Sequence, residues 1–227
     1  MNANILVVAG TDTEIGKTTA ACALLAALRD RSHDVRGIKP VESGTADQPS
    51  PDHEDGRRLA AAAGQDEPKE ALQRLEAPLA PPVAARDEGV ELQPKRWFEA
   101  IRGYAANAEL TLVEGAGGLL SPLADGLDTR ATALELDAPV LLVAQDSLGT
   151  LNHTFLTMEA LEHAGIGVAA VIFSAPPTPD DSTGRNAQVV QRRHPELPVA
   201  TLPRIGSDEE GAEALEAAGV LERLIRQ

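Results

Sequence analysis

The 227-residue chain has few aromatic side chains: Trp97, Phe98, Tyr104, Phe155 and Phe173 make up 2% of it. Any core must therefore be packed from aliphatic residues, chiefly Ala, Leu and Val. Cys22 is the single cysteine, which excludes an internal disulfide and a multi-cysteine metal cage and fits a cytosolic address. The longest apolar runs, such as Ala138 to Ala144, fall far short of the roughly 18–20 residues a bilayer requires, and no basic stretch precedes the first apolar segment. The expectation is a cytoplasmic protein with no membrane partner. Positive charge is also scarce, with 20 Lys plus Arg against 35 Asp plus Glu and a net charge of −15. That balance repels nucleic-acid backbones, so a nucleic-acid partner is not expected. Lysine is confined to Lys17, Lys39, Lys69 and Lys95, and so acidic and lysine-poor a composition suits high salt. There is no G-x-S-x-G, no H-E-x-x-H, and no ligand spacing among the five histidines.

What is present is alternation. Apolar runs at Asn4–Ala9, Val35–Lys39, Leu110–Glu114, Pro139–Ala144, Val168–Phe173 and Val199–Leu202 read as short strands. Between them, Thr18–Asp30, Glu54–Ala63, Lys95–Ala106 and Leu151–Ala164 read as helices, with further helices between and after the last two strands. Residues 67–94, rich in Pro, Ala and Glu without a sustained period, read as a long irregular connection. This order predicts an α/β fold, a mostly parallel sheet with helices on both faces, as one domain over 1–227.

The first strand leads into Gly10–Thr18, GTDTEIGKT, directly before a helix. In a phosphate-binding loop, backbone N–H groups surround phosphate oxygens, the lysine adds a mobile charge and the threonine hydroxyl reaches magnesium. Gly16, Lys17 and Thr18 supply those parts, although five residues separate Gly10 from Gly16 where the strict motif has four. Metal-binding carboxylates are expected at strand ends. Glu114, in VEGAGG with glycines after it, fits; Asp55, in PDHED, is the weaker candidate. Lys39, in KPVESG, closes the second strand beside the expected phosphates and could neutralise charge during phosphoryl transfer. It reads as a residue of an exposed turn, whose loss should cost the fold little. Gly149–Asn152 opens a helix whose free N–H groups form an anion site.

Together GTDTEIGKT, KPVESG, VEGAGG and LGTLNHTFLTMEALEHAG (Leu148–Gly165) resemble the ATP-dependent dethiobiotin synthetases over nearly the whole chain. The resemblance implies a single-domain P-loop NTPase fold and a cytoplasmic homodimer that joins CO2 to 7,8-diaminopelargonate with ATP and magnesium. It implies that Glu14, Ile15, Gly16, Lys17, Thr18 and Thr19 hold the phosphates. Thr18, Asp55 and Glu114 would serve the metal, and Gly115, Ala116 and Gly117 the nucleotide. Lys39 and Lys17 would be the catalytic cations, with Thr13 and Ser43 facing the diamine and carbamate. Gly149, Thr150, Leu151 and Asn152 would receive the substrate carboxylate across the dimer interface. Pro203, Arg204, Ile205 and Glu210 would lie around the base. The chain departs from the family in two places. Ala80-Pro81-Pro82 stands where Ser-Pro-His is usual, and Ser174-Ala175 where Asn-Asp commonly meets adenine. A partitioning or regulatory ATPase, which shares the loop and uses nucleotide as a switch, is the alternative.

Overall fold

In a computed structural model, residues 4–221 are described. Among these residues eight strands and eight α-helices follow one another, beginning with β1 (Ile5–Gly10), α1 (Lys17–Asp30), β2 (Val35–Ile38) and α2 (Asp55–Ala63). Then come α3 (Pro81–Glu88), α4 (Pro94–Ala105), β3 (Leu110–Gly118), β4 (Pro122–Ala124), β5 (Leu127–Asp128) and α5 (Thr129–Glu135). The last are β6 (Val140–Gln145), α6 (Thr150–His163), β7 (Val168–Ser174), α7 (Asn186–Arg193), β8 (Val199–Leu202) and α8 (Asp208–Ala217).

Six strands form one sheet in the order β2-β3-β1-β6-β7-β8. All its pairings are parallel. Successive strand side chains point to opposite faces, and both faces are packed. Ile5, Val7 and Ala9 join Trp97, Phe98 and Ile101 of α4 and Leu161 of α6. Leu6 and Val8 face the other way onto Leu24, Leu25 and Leu28 of α1, Leu59 of α2 and Leu215 of α8. Leu24, Leu25 and Leu28 are fully buried, and each such side chain contributes about 2 kcal/mol. The parallel order and the helices on both faces are those the sequence predicts.

The stretch 67–94 is a correction, because α3 lies within it. Pro81 and Pro82 occupy the first turn, where no intrahelical N–H is needed, and Gly89 ends the helix with φ 66°. Ala84 and Ala85 then bury against the sheet. Upstream, Leu72, Gln73 and Leu75 donate backbone hydrogen bonds to the carbonyls of Lys39, Pro40 and Glu42. The segment thus runs along the KPVESG turn and fixes it. Two further elements were not expected: the antiparallel β4–β5 pair and α5, whose cap is the Asp128 carboxylate accepting from Ala131 N at 2.7 Å. No helix among the described residues is long and apolar enough to cross a membrane.

Candidate active site

The carboxyl ends of β1, β2 and β3 open on a cavity of about 620 Å³. Its floor is the loop from β1 to α1. Gly16 caps α1 at φ 90°, and a Cβ there would sit 2.4 Å from Ser174 Oγ, so backbone conformation and space both demand glycine. Glu14 also has positive φ, 53°, strain on the order of 1 kcal/mol that the surrounding packing must hold. The loop leaves the first N–H groups of α1 facing the cavity, the arrangement that binds phosphate. Lys17 Nζ meanwhile donates to the Asp12 carbonyl at 3.0 Å. Burial, and secondarily the charge of Lys39, lower its pKa to about 8; a bound polyanion would favour its charged form.

Beyond the loop, Lys39 Nζ lies 2.7 Å from Asp55 Oδ2, 2.7 Å from Glu114 Oε1 and 3.2 Å from the Gly115 carbonyl. Its three N–H donors are thereby used. Thr18 Oγ1 lies 2.8 Å from Asp55 Oδ1 and 2.9 Å from Glu114 Oε1, yet a hydroxyl has one proton and can donate to only one at a time. Burial opposes charge on Lys39, but Asp55 and Glu114 outweigh it and raise its pKa above the usual lysine range. Burial likewise opposes ionisation of Asp55, but Lys39 and the Thr18 hydroxyl hold its carboxyl below the ordinary range. At Glu114 burial dominates and, with the Asp55 charge, pushes the carboxyl upward against the pull of Lys39. Lys39 is therefore a permanent cation between two carboxylates rather than a base.

The exposed-turn reading of Lys39 is overturned: its side chain is 4% exposed and that of Glu114 0%. Parallel neighbours decide this, because β2 lies beside β3 and delivers Lys39 onto Glu114.

The residues fit a magnesium ion. Thr18, Asp55 and Glu114 converge as hard oxygen donors, and Glu114 Oε2 is buried without a hydrogen-bond partner. Among the described residues no group of three or more His, Cys, Asp or Glu is placed to hold a metal ion, so the donor set would be two carboxylates and a hydroxyl. A carboxylate oxygen left unpaired at that depth is costly and is what a cation would satisfy.

Most of the expected site residues meet here. Thr13, Glu14, Ile15, Gly16, Lys17, Thr18, Thr19, Lys39, Ser43, Asp55, Glu114, Ala116 and Gly117 line the cavity. Gly115 lies outside the lining, its carbonyl accepting from Lys39 Nζ. Ser174 lies under Gly16 at the end of β7. Ala175, Pro203, Arg204, Ile205 and Glu210 follow β7 and β8, outside the cavity lining. Glu210 is engaged by Gly206 N at 2.8 Å. Gly149–Asn152 begin α6 as expected, with Gly149 at φ 91°, and also lie outside the lining.

Sequence reasoning missed several residues. Ala80 and Pro81 do line the cavity, with Pro78, Leu79 and Pro122. Arg58, one turn after Asp55 on α2, lines it as well; its i,i+3 spacing from Asp55 was the available signal. Glu42 stood unremarked inside KPVESG.

Residues 4–209 match a family described as an AAA domain. The chain is 45% identical over 202 residues to the ATP-dependent dethiobiotin synthetase BioD of Anaeromyxobacter dehalogenans (strain 2CP-C), covering 87% of this chain and 89% of the relative. It is 38% identical over 205 residues to the BioD of Aromatoleum aromaticum, covering 88% and 91%. Among solved structures, the cell division ATPase MinD of Pyrococcus furiosus is similar at TM-score 0.55 and 17% identity, over 99% of this chain and 97% of that one. A ParA family ATPase from Chlorobium tepidum gives TM-score 0.55 at 11% identity, over 99% and 98%. Those two likenesses show the P-loop NTPase fold alone; the sequence relatives show more. With nine-tenths of the relatives' length matched, the chain belongs to the ATP-dependent dethiobiotin synthetase family.

Proposed function

We propose that this chain is the ATP-dependent ligase that carboxylates 7,8-diaminopelargonate with CO2 and closes the ureido ring, giving dethiobiotin, ADP and phosphate. The observation that carries the reading is the buried Lys39 held between Asp55 and Glu114, beside Thr18 and Lys17, in one cavity. A switch ATPase needs the phosphate loop but has no need of a cavity that continues past Ser43 to Pro78 and Pro81. In this reading one amine of the diamine takes up CO2 as a carbamate, which accepts the γ-phosphoryl group. The second amine then attacks the carbonyl carbon and phosphate leaves. Carbamate and triphosphate are both anionic, so the chain's task is to bring them together. Lys17 and the α1 N–H groups hold the triphosphate, and Lys39, charged at every physiological pH, offsets repulsion where charge moves. Thr18, Asp55 and Glu114 would hold magnesium, which when bound neutralises phosphate charge. Thr13 and Ser43 face the diamine. Gly149, Thr150, Leu151 and Asn152 would take the distant carboxylate from a second protomer, and the described residues 4–221 form one domain.

Phosphate release from ATP with magnesium and bicarbonate tests the reading when run with and without the diamine. Release is expected to require the diamine; release at the same rate in its absence would sink the ligase reading in favour of a switch ATPase.

A further inference from the structure

The N-terminus of α2 bears Asp55 as its first residue, yet its capping residue Glu54 makes no side-chain cap. The Glu54 carboxylate is drawn away by Arg74, at 2.6 and 2.9 Å, and by Arg57 at 3.7 Å. The first N–H groups of a helix need acceptors. Here a distant residue supplies them: Glu42 accepts from Asp55 N at 2.6 Å through Oε1 and from Gly56 N at 2.9 Å through Oε2. Glu42 is itself 4% exposed. Its backbone is pinned on both sides, its N–H donating to the Gln73 carbonyl at 3.0 Å and its carbonyl accepting from Leu75 N at 2.8 Å. Three residues earlier in the same turn, Lys39 holds the Asp55 side chain. The KPVESG turn thus grips Asp55 twice, at its carboxylate and at its backbone, and the helix start cannot shift without breaking the Glu42 fork.

We propose that Glu42 is a positioning residue that sets where the Asp55 carboxylate stands relative to Thr18 and Glu114, and so sets magnesium affinity without touching the reacting atoms. The inference rests on the reading of Thr18, Asp55 and Glu114 as the metal donors. Groups that orient a ligating carboxylate change metal affinity about 10–100-fold when removed. Glu42→Ala removes both acceptors. Glu42→Gln keeps one carbonyl oxygen and turns an amide toward the other N–H.

The test titrates magnesium against the whole protein by two readouts: the rise in Tm with saturating ADP, and phosphate release in the full reaction. Glu42→Ala is expected to raise the half-saturating magnesium about tenfold or more in both, with kcat at saturating metal within about threefold of the parent, and Glu42→Gln to fall between. Arg74→Met weakens the same helix start through Glu54 and is expected to leave half-saturation within about twofold. A folded Glu42→Ala with parental half-saturation overturns the proposal, as does an equal shift in Arg74→Met. Should Glu42→Ala fail to fold, Glu42→Gln decides alone: a raised half-saturation supports, a parental one overturns. Asp55→Asn, run alongside, separates the two ideas. If it leaves half-saturation unchanged, the metal-site reading fails and the inference with it. If it shifts the titration while the Glu42 variants do not, only the inference fails.

Discussion

Lys39 sits at the one place in this cavity where two carboxylates meet, and its effect on the fold follows from that pairing. Removing one partner of a buried ion pair leaves the others uncompensated, which costs about 3–5 kcal/mol. Lys39→Ala is therefore expected to lose turnover at least about a hundredfold and also to lower unfolding free energy in urea by about 3 kcal/mol. Magnesium with ADP should recover part of that loss, because a bound cation again faces Asp55 and Glu114. A variant as stable as its parent in metal-free buffer would contradict the buried triad. Ser174 poses a different residue-level question. It is 8% exposed and packed under Gly16, and Ala175 beside it has no hydrogen-bonding side chain. Only a site built to hydrogen-bond a particular base edge reaches large rejection factors. The expected outcome is that CTP or GTP supports turnover within about tenfold of ATP in kcat/KM, about 1.4 kcal/mol. A preference for ATP of a thousandfold would place adenine recognition on the backbone near Pro203 or on another group.

At the scale of elements, α2 shows tertiary packing overruling local preference. Replacing a helical glycine by alanine ordinarily stabilises, by up to about 1 kcal/mol in a helix interior and less near its start. At Gly56 a Cβ would sit 2.2 Å from Ala71 N and 2.9 Å from its Cα, and backbone cannot yield as a flexible side chain can. Gly56→Ala is accordingly expected to destabilise by about 1–3 kcal/mol and to raise the magnesium requirement, since Gly56 N is half of the Glu42 fork. A rise in Tm would show that the α2 start is not clamped against Glu70 and Ala71. Tertiary contacts rather than a local repeat also order residues 67–94, which have no legible period. Their order comes from hydrogen bonds to the KPVESG turn, and α3 is marked only by Pro81 at its start and Gly89 at its end.

Over the whole molecule the net charge of −15 is the term that acts at long range. Like charges repel most in dilute salt, where the Debye length is about 30 Å at 0.01 M, and little at 1 M, where it is about 3 Å. Molar potassium chloride is thus expected to raise Tm relative to dilute buffer. A Tm unchanged or lowered, measured by calorimetry at fixed pH, would mean that self-repulsion is not what limits stability.

The sequence by itself determined the sheet and the loop. Six short apolar runs separated by helical segments allow little but a parallel sheet covered on both faces, and the glycines, lysine and threonine of Gly10–Thr18 declare phosphate chemistry through local backbone geometry. Glu114 and Asp55 were legible as carboxylates at the edge of that chemistry. Only the tertiary structure decided the burial of Lys39, the joining of Lys39, Asp55, Glu114 and Thr18 into one cradle, and the fork from Glu42 to α2. Each depends on β2 lying against β3 and on residues 72–77 running beside the turn after β2. Those are contacts between residues 13 to 96 positions apart. Local periodicity carries no record of such distances, because a side chain's burial and charge state are set by what the fold places against it.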